Sequence, residues 1–173
     1  MSGELTKAAV RAEVATRRKA RPQPERDAAA AALVEQVLAL PELAAAGTVT
    51  AYESFPTEPG TGPLLHALRA RGVRALLPVL RDDNDLAWVS DGAELGVEAV
   101  RTANVVICPA VAATPDGRRL GRGGGSYDRV LTRVDRSTLT VALLHDDEVV
   151  DELPTDPHDR SVDVVVTPTR TLR

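Results

Sequence analysis

The chain has 173 residues, 43% hydrophobic and 27% charged, which leaves room for one domain with a two- or three-layer core and argues against a second. A formal net charge of -4 makes a general nucleic-acid surface a poor expectation, because such surfaces need clustered, uncompensated Lys and Arg. The single cysteine, Cys108, excludes an internal disulfide and a multi-cysteine zinc site. No run reaches the roughly 18 apolar residues that cross a bilayer. The start of the chain is charged and Ala-rich with no apolar signal core, so the expected address is the cytoplasm. We expect one domain over 1–173, as a monomer or small homo-oligomer with neither a nucleic-acid nor a membrane partner.

Between Glu4 and Arg21, Leu5, Val10 and Val14 mix with Lys and Arg at helical spacing, and Pro22 and Pro24 end the helix. A second helix is predicted from Arg26 to Leu40, where Ala28 to Ala32 are strong helix formers and Leu33, Val37 and Leu40 share a face. From Gly47 the texture alternates: a strand at Thr48 to Tyr52, a Pro/Gly-rich loop to Pro63, a helix at Leu64 to Arg71 and a strand at Val73 to Leu77, together a βαβ unit. Further strands are predicted at Leu86 to Val89, Asn104 to Cys108, Leu139 to Leu144 and Val162 to Thr167. A helix is predicted at Tyr127 to Val134 and a loop around Asp151 to Arg160. Strands separated by single helices predict an α/β fold, a three-layer sandwich with a mostly parallel central sheet flanked by helices. In such sheets ligands sit beyond the carboxyl ends of the strands.

The strongest local feature is Arg118-Arg119-Leu120-Gly121-Arg122-Gly123-Gly124-Gly125-Ser126-Tyr127-Asp128-Arg129, between a predicted strand and a predicted helix. Glycines let successive backbone N–H groups converge on one point, and the helix that follows adds its partial positive end, a geometry suited to phosphate oxygens. Arg118, Arg119 and Arg122 are candidates for the full charges. A Walker loop would place Lys and then Ser or Thr after the last glycine, and here Ser126 and Tyr127 follow instead. A flexible surface turn remains an alternative. So does a dinucleotide site, with Asp146 and Asp147 after the next strand as ribose-binding acids.

Val106-Ile107-Cys108-Pro109-Ala110-Val111-Ala112, then Asp116-Gly117 and the glycine loop, resembles the signature of the 5-formyltetrahydrofolate cyclo-ligase (methenyltetrahydrofolate synthetase) family. The likeness continues in Val141 to Leu144, Asp151-Glu152-Leu153-Pro154, Pro157-His158-Asp159 and Val162-Asp163. Upstream it includes Lys7, Arg11, Tyr52, Ser54, Glu58, Thr61, Gly72 and Leu77-Pro78, so it spans nearly the full chain. The resemblance implies cyclisation of 5-formyltetrahydrofolate to 5,10-methenyltetrahydrofolate, driven by ATP, requiring Mg²⁺ and releasing ADP and phosphate. It implies ATP contacts from Lys7, Arg11, Arg119, Gly121, Arg122, Gly123, Gly124, Gly125, Ser126 and Tyr127, with Arg122 and Tyr127 also catalytic. Glu53, Glu58 and Tyr127 would meet the folate, and Asp128 and Asp159 the metal.

Each assignment has a plainer counterpart. Lys7 and Arg11 would share a solvated basic face with Arg17 and Arg18, Asp128 would cap a helix, Asp159 would be a turn residue, Glu58 would be solvent-exposed, and Tyr127 would pack in the core. The chain departs from the family pattern at Ser126, where a second Tyr is common. It also departs in the short stretch from Trp88 to Val100, which replaces a longer segment on the substrate side. That shortening motivates a second reading: a nucleotide-binding relative that has lost catalysis and serves a binding or regulatory role.

Overall fold

The computed structural model describes residues 4–173. Helix α1 (Lys7–Ala20) begins where the Thr6 hydroxyl accepts the Ala9 N–H at 3.1 Å, satisfying one of the unpaired donors of a helix start. It ends before Pro22, and Pro24 lies in the first turn of α2 (Gln23–Leu38), where a missing N–H costs nothing. A short helix α3 (Pro41–Ala44) leads into strand β1 (Thr48–Thr50), then α4 (Gly62–Ala70) and β2 (Arg74–Leu80). Strands β3 (Leu86–Ser90) and β4 (Ala93–Leu95) continue the meander, followed by a 3-10 helix at Val97–Thr102 and β5 (Val105–Pro109). A small hairpin of β6 (Ala112–Ala113) and β7 (Arg119–Leu120) precedes the glycine loop. Then come α5 (Ser126–Arg133), β8 (Leu139–Leu143), a one-turn helix at Asp146–Glu148, β9 (Val164–Val166) and β10 (Thr171–Leu172).

The main sheet has the order β10-β9-β8-β5-β1-β2-β3-β4. Its five central strands, β9, β8, β5, β1 and β2, are parallel, and the antiparallel strands lie at the two edges. The predicted α/β sandwich is therefore observed, with the βαβ unit of β1, α4 and β2 at its centre. One face of the sheet is covered by α2, α3 and α4 through Leu33, Val37, Leu43, Leu64 and Leu68. The 3-10 helix and α5 cover the other, around the fully buried Trp88. Central strands covered on both faces must be apolar throughout, which is why Val105 to Cys108 and Val141 to Leu143 run without a polar break.

From β1 the chain goes to β2 on one side and later returns to β5 on the other, so the strand order reverses between β1 and β5. The crevice at such a reversal, beyond the carboxyl ends, is where open α/β sheets hold ligands. The expected polar stretch after β3 instead forms edge strand β4 and the 3-10 helix. Three-residue strands have too little sequence to show a period of two, and pairing with β3 is what creates β4.

Candidate active site

A cleft of about 1040 Å³ opens at that reversal, lined by α1, the loop after β1, the β2–β3 hairpin, the glycine loop and the turn at Asp156 to Asp159. All ten residues expected at ATP, both expected metal carboxylates, and Glu53 and Glu58 border it. Arg118 does not. It neighbours Arg119 in an extended segment, so the two side chains take opposite directions, and Arg118 lies exposed with Asp116 at 3.4 Å.

The loop after β1 is closed on itself. Thr61 donates its hydroxyl to the Tyr52 carbonyl at 2.6 Å, and Ser54 and Thr61 exchange backbone N–H to side-chain hydroxyl bonds at 3.0 Å each. Glu58 accepts the Phe55 N–H at 2.9 Å and is only 8% exposed. It is therefore a built-in part of the cleft wall and not a solvated surface acid. Glu53 stays exposed at the rim.

Residues 7 and 11 share one face of α1. Arg11 donates Nε–H to the Gly121 carbonyl at 2.8 Å, and Lys7 Nζ lies 2.6 Å from both Asp156 and Asp159. Burial works to lower the Lys7 ammonium, but the two carboxylates prevail and hold it above its usual range. For Asp159 burial pushes upward, and Lys7 with the Asp156 N–H carries it below the usual carboxylate range. The basic face does not extend as expected: Arg17 pairs with Glu13 on the helix surface, while Arg18 is buried.

In the glycine loop, Gly123 has φ +113°, a conformation closed to most side chains. A Cβ there would also stand 3.5 Å from the Arg11 guanidinium carbon. Arg119 is almost fully enclosed, donating Nη2–H to Asp128 at 3.1 Å and Nη1–H to the Pro109 carbonyl at 3.3 Å. Arg122 stacks over the Phe55 ring at 4.4 Å, across the mouth of the cleft. Asp128 is the third residue of α5 and not its cap: Gly125 precedes the helix without a side-chain bond, and Asp128 Oδ1 accepts from Arg119 and from the Arg160 N–H at 3.0 Å.

Ligand atoms of Asp156, His158 and Asp159 lie within 4.8 Å of one another. Asp128 falls outside that group among the described residues. Tyr52 and Tyr127 both line the cleft with hydroxyls that have no hydrogen-bond partner among the described residues, and burial pushes both phenols upward. An apolar wall of Leu77, Pro78, Leu80, Leu86 and Val89 faces the glycine loop. Asp156 and Phe55 escaped the sequence reading. Asp156 stands three residues before Asp159 in an acidic turn, a signal that was present, whereas nothing local marked Phe55. The dinucleotide reading fails on position, because Asp146 is bonded to Thr169 and Asp147 to Arg21, away from the cleft.

A cation-rich glycine loop and an apolar wall border one cleft at the reversal point of the sheet, which defines an α/β protein with a single composite site. The model of the 5-formyltetrahydrofolate cyclo-ligase family matches residues 4–96 and 91–168. The two matched runs meet at the shortened segment after Trp88. A 5-formyltetrahydrofolate cyclo-ligase of Mycolicibacterium smegmatis is 38% identical over 144 residues, covering 71% of this chain and 74% of that protein. The Escherichia coli K12 enzyme of the same name is 31% identical over 155 residues, covering 78% and 85%. Two solved 5,10-methenyltetrahydrofolate synthetases share the fold. The one from Mycoplasma pneumoniae superposes with TM-score 0.82 at 22% identity, covering 94% of this chain and 98% of that one. The one from Aquifex aeolicus gives 0.81 at 26%, covering 96% and 92%. The chain belongs to the 5-formyltetrahydrofolate cyclo-ligase family and is an enzyme of that ligase class.

Proposed function

We propose that the protein cyclises 5-formyltetrahydrofolate to 5,10-methenyltetrahydrofolate at the expense of ATP, with Mg²⁺. The observation that carries this is the convergence of Lys7, Arg11, Glu58, the glycine loop and Asp159, far apart in sequence, on one cleft. In this reading the phosphates of ATP lie against the glycine-loop N–H groups and Arg122, with Lys7 and Arg11 closing from α1. The folate lies along the apolar wall with Glu58 and the two tyrosines at its polar edge. The formyl oxygen attacks the terminal phosphorus and ADP leaves. N10 then bonds to the formyl carbon and loses its proton, and the phosphorylated oxygen departs as phosphate. The protein's share of such chemistry is positioning and charge neutralisation.

The oxygen donors of Asp159 and Asp156 suit Mg²⁺, a hard cation that favours oxygen ligands. Asp128 borders the same cleft and would offer a further carboxylate oxygen. The ion supplies charge neutralisation at the phosphates. The reading includes a cytoplasmic enzyme, and no helix among the described residues is long and apolar enough to cross a membrane.

The test is the growth of methenyltetrahydrofolate absorbance on mixing protein, 5-formyltetrahydrofolate, Mg²⁺ and ATP, with each omitted in turn. Product that needs both ATP and Mg²⁺ is expected. Nucleotide binding without product would instead favour the catalytically silent relative, the reading that the short stretch from Trp88 to Val100 motivates.

A further inference from the structure

Lys7, Arg11, Val14 and Arg18 are spaced four, three and four residues apart, which puts them in one stripe along α1. The first two border the cleft, Val14 is buried, and Arg18 lies beyond the cleft wall. Arg18 is nevertheless the most elaborately held side chain on the helix. Its Nε–H goes to Glu148 Oε1 at 2.9 Å, one Nη2–H to Glu148 Oε2 at 2.7 Å, and another to the Ala110 carbonyl at 2.8 Å. Both partners are enclosed, with side-chain exposures of 8% and 1%. Glu148 also accepts the His145 N–H at 3.4 Å. One guanidinium therefore joins α1 to the segments leaving β5 and β8.

The apolar grip on the helix is small by comparison. Among the described residues Val10 and Val14 are the helix's members of the cluster of Val111, Ala112, Leu120 and Leu153, and the remaining ties are polar: Lys7 to Asp156 and Asp159, Arg11 to the Gly121 carbonyl, and Arg21, at the helix end, to Asp147. A fork-to-fork pair cannot slip: a shift of one turn, about 5.4 Å, breaks both of its bonds. Buried ion pairs contribute little net stability, because desolvation offsets their attraction, and their best-attested use is to set register. Arg18 does not line the cleft; its charge lies within electrostatic reach of Glu58 and Tyr52, and its effect on Lys7 and Arg11 passes through the helix.

We propose that Glu148, acting through Arg18, is a positioning residue that sets the rotation and register of α1, and so presents Lys7 and Arg11 to the phosphates of ATP. The inference rests on the reading of the cleft as an ATP site. It is tested in the full-length protein with Glu148→Gln, by steady-state kinetics in each substrate, thermal melting, and hydrogen exchange of the Lys7 to Arg11 amides. The KM for ATP rises roughly tenfold, the KM for 5-formyltetrahydrofolate stays within about twofold, and exchange at Lys7 to Arg11 quickens while that of β5 does not. Arg18→Lys, which keeps the charge and loses the fork, falls between parent and Glu148→Gln. A KM for ATP at the parental value with a lowered melting temperature overturns the proposal, as does an equal rise in both KM values. Should Glu148→Gln fail to fold, Arg18→Met together with Glu148→Met fills the space without charge; this pair must fold and still show the raised KM for ATP, and a parental value overturns the proposal. If the parent uses no ATP, the functional reading falls by itself, and the register claim stands or falls on whether Glu148→Gln quickens exchange at Lys7 to Arg11.

Discussion

At Lys7 a single ammonium bridges two carboxylates, so half the charge of the acidic turn of Asp156 and Asp159 is offset by a helix at the other end of the chain. Asp159→Asn weakens that arrangement and removes a carboxylate oxygen proposed above to bind Mg²⁺. The Mg²⁺ concentration for half-maximal activity is expected to rise roughly tenfold or more; unchanged activity at limiting Mg²⁺ would leave Asp159 as a holder of Lys7 alone. Arg122→Ala removes a charge at the cleft mouth that stacks on the Phe55 ring. A hydrogen bond to a charged group contributes about 1.5–3 kcal/mol, so the KM for ATP should rise at least roughly tenfold, and an unaltered value would exclude contact with the phosphates. His145 offers a pH test away from the cleft. It is 2% exposed, and burial first, then Arg21 and Arg18, hold its imidazole down at about 4. Unfolded, it binds a proton near pH 6.5. The unfolded chain therefore binds more protons between those values, and stability falls as pH drops through that window, by at most about 3 kcal/mol. Urea midpoints at pH 7 and 4.5 should converge in His145→Asn relative to the parent, and equal losses in both proteins would assign the acid sensitivity elsewhere.

Among the elements, the loop after β1 carries Glu58 and owes its shape to Thr61, whose hydroxyl donates to Tyr52 and accepts from Ser54. Thr61→Val keeps the volume and loses both bonds, leaving a buried carbonyl and an amide unpaired. Such groups cost about 1–3 kcal/mol each. Urea unfolding is expected to show a loss of about 2–6 kcal/mol for the two groups together, with a raised KM for folate because Glu58 is no longer fixed; a loss confined to stability would detach the loop from substrate binding. On the far side of the cleft, α5 is tied to the β2–β3 hairpin by Arg133 on Asp85 and Arg129 on the Asp83 carbonyl. The glycine loop leads into α5 and the apolar wall belongs to the hairpin, so these bonds hold the cleft's two sides at one width.

For the molecule as a whole, two apolar layers share one sheet, with Trp88 in one and Leu143 in the other. Leu143→Ala opens a cavity in the second layer and should cost about 2–5 kcal/mol. We expect a cooperative single domain, in which Trp88 fluorescence, from the opposite face, reports that loss with the same midpoint as backbone circular dichroism. Separate midpoints would mean that the layers unfold independently.

The order of residues was enough to read the alternation of strands and helices, the βαβ centre, the parallel sheet and the place of the glycine loop. Those follow from periodicity, from Pro and Gly punctuation and from unbroken apolar runs, all of which are local. It also carried the family likeness through Lys7, Arg11, Glu58 and the glycine loop. Only the tertiary structure separated Arg17 from Arg18, or Arg118 from Arg119, since neighbouring residues of one type differ only in what they meet. Arg18 finds Glu148 130 positions away and Lys7 finds Asp159 152 positions away. The edge strands β4 and β10 and the hairpin of β6 and β7 were likewise decided by their partners, because two or three residues carry no period of their own. Local chemistry writes the elements, whereas burial and pairing across the chain select which charges border the cleft and which hold the frame.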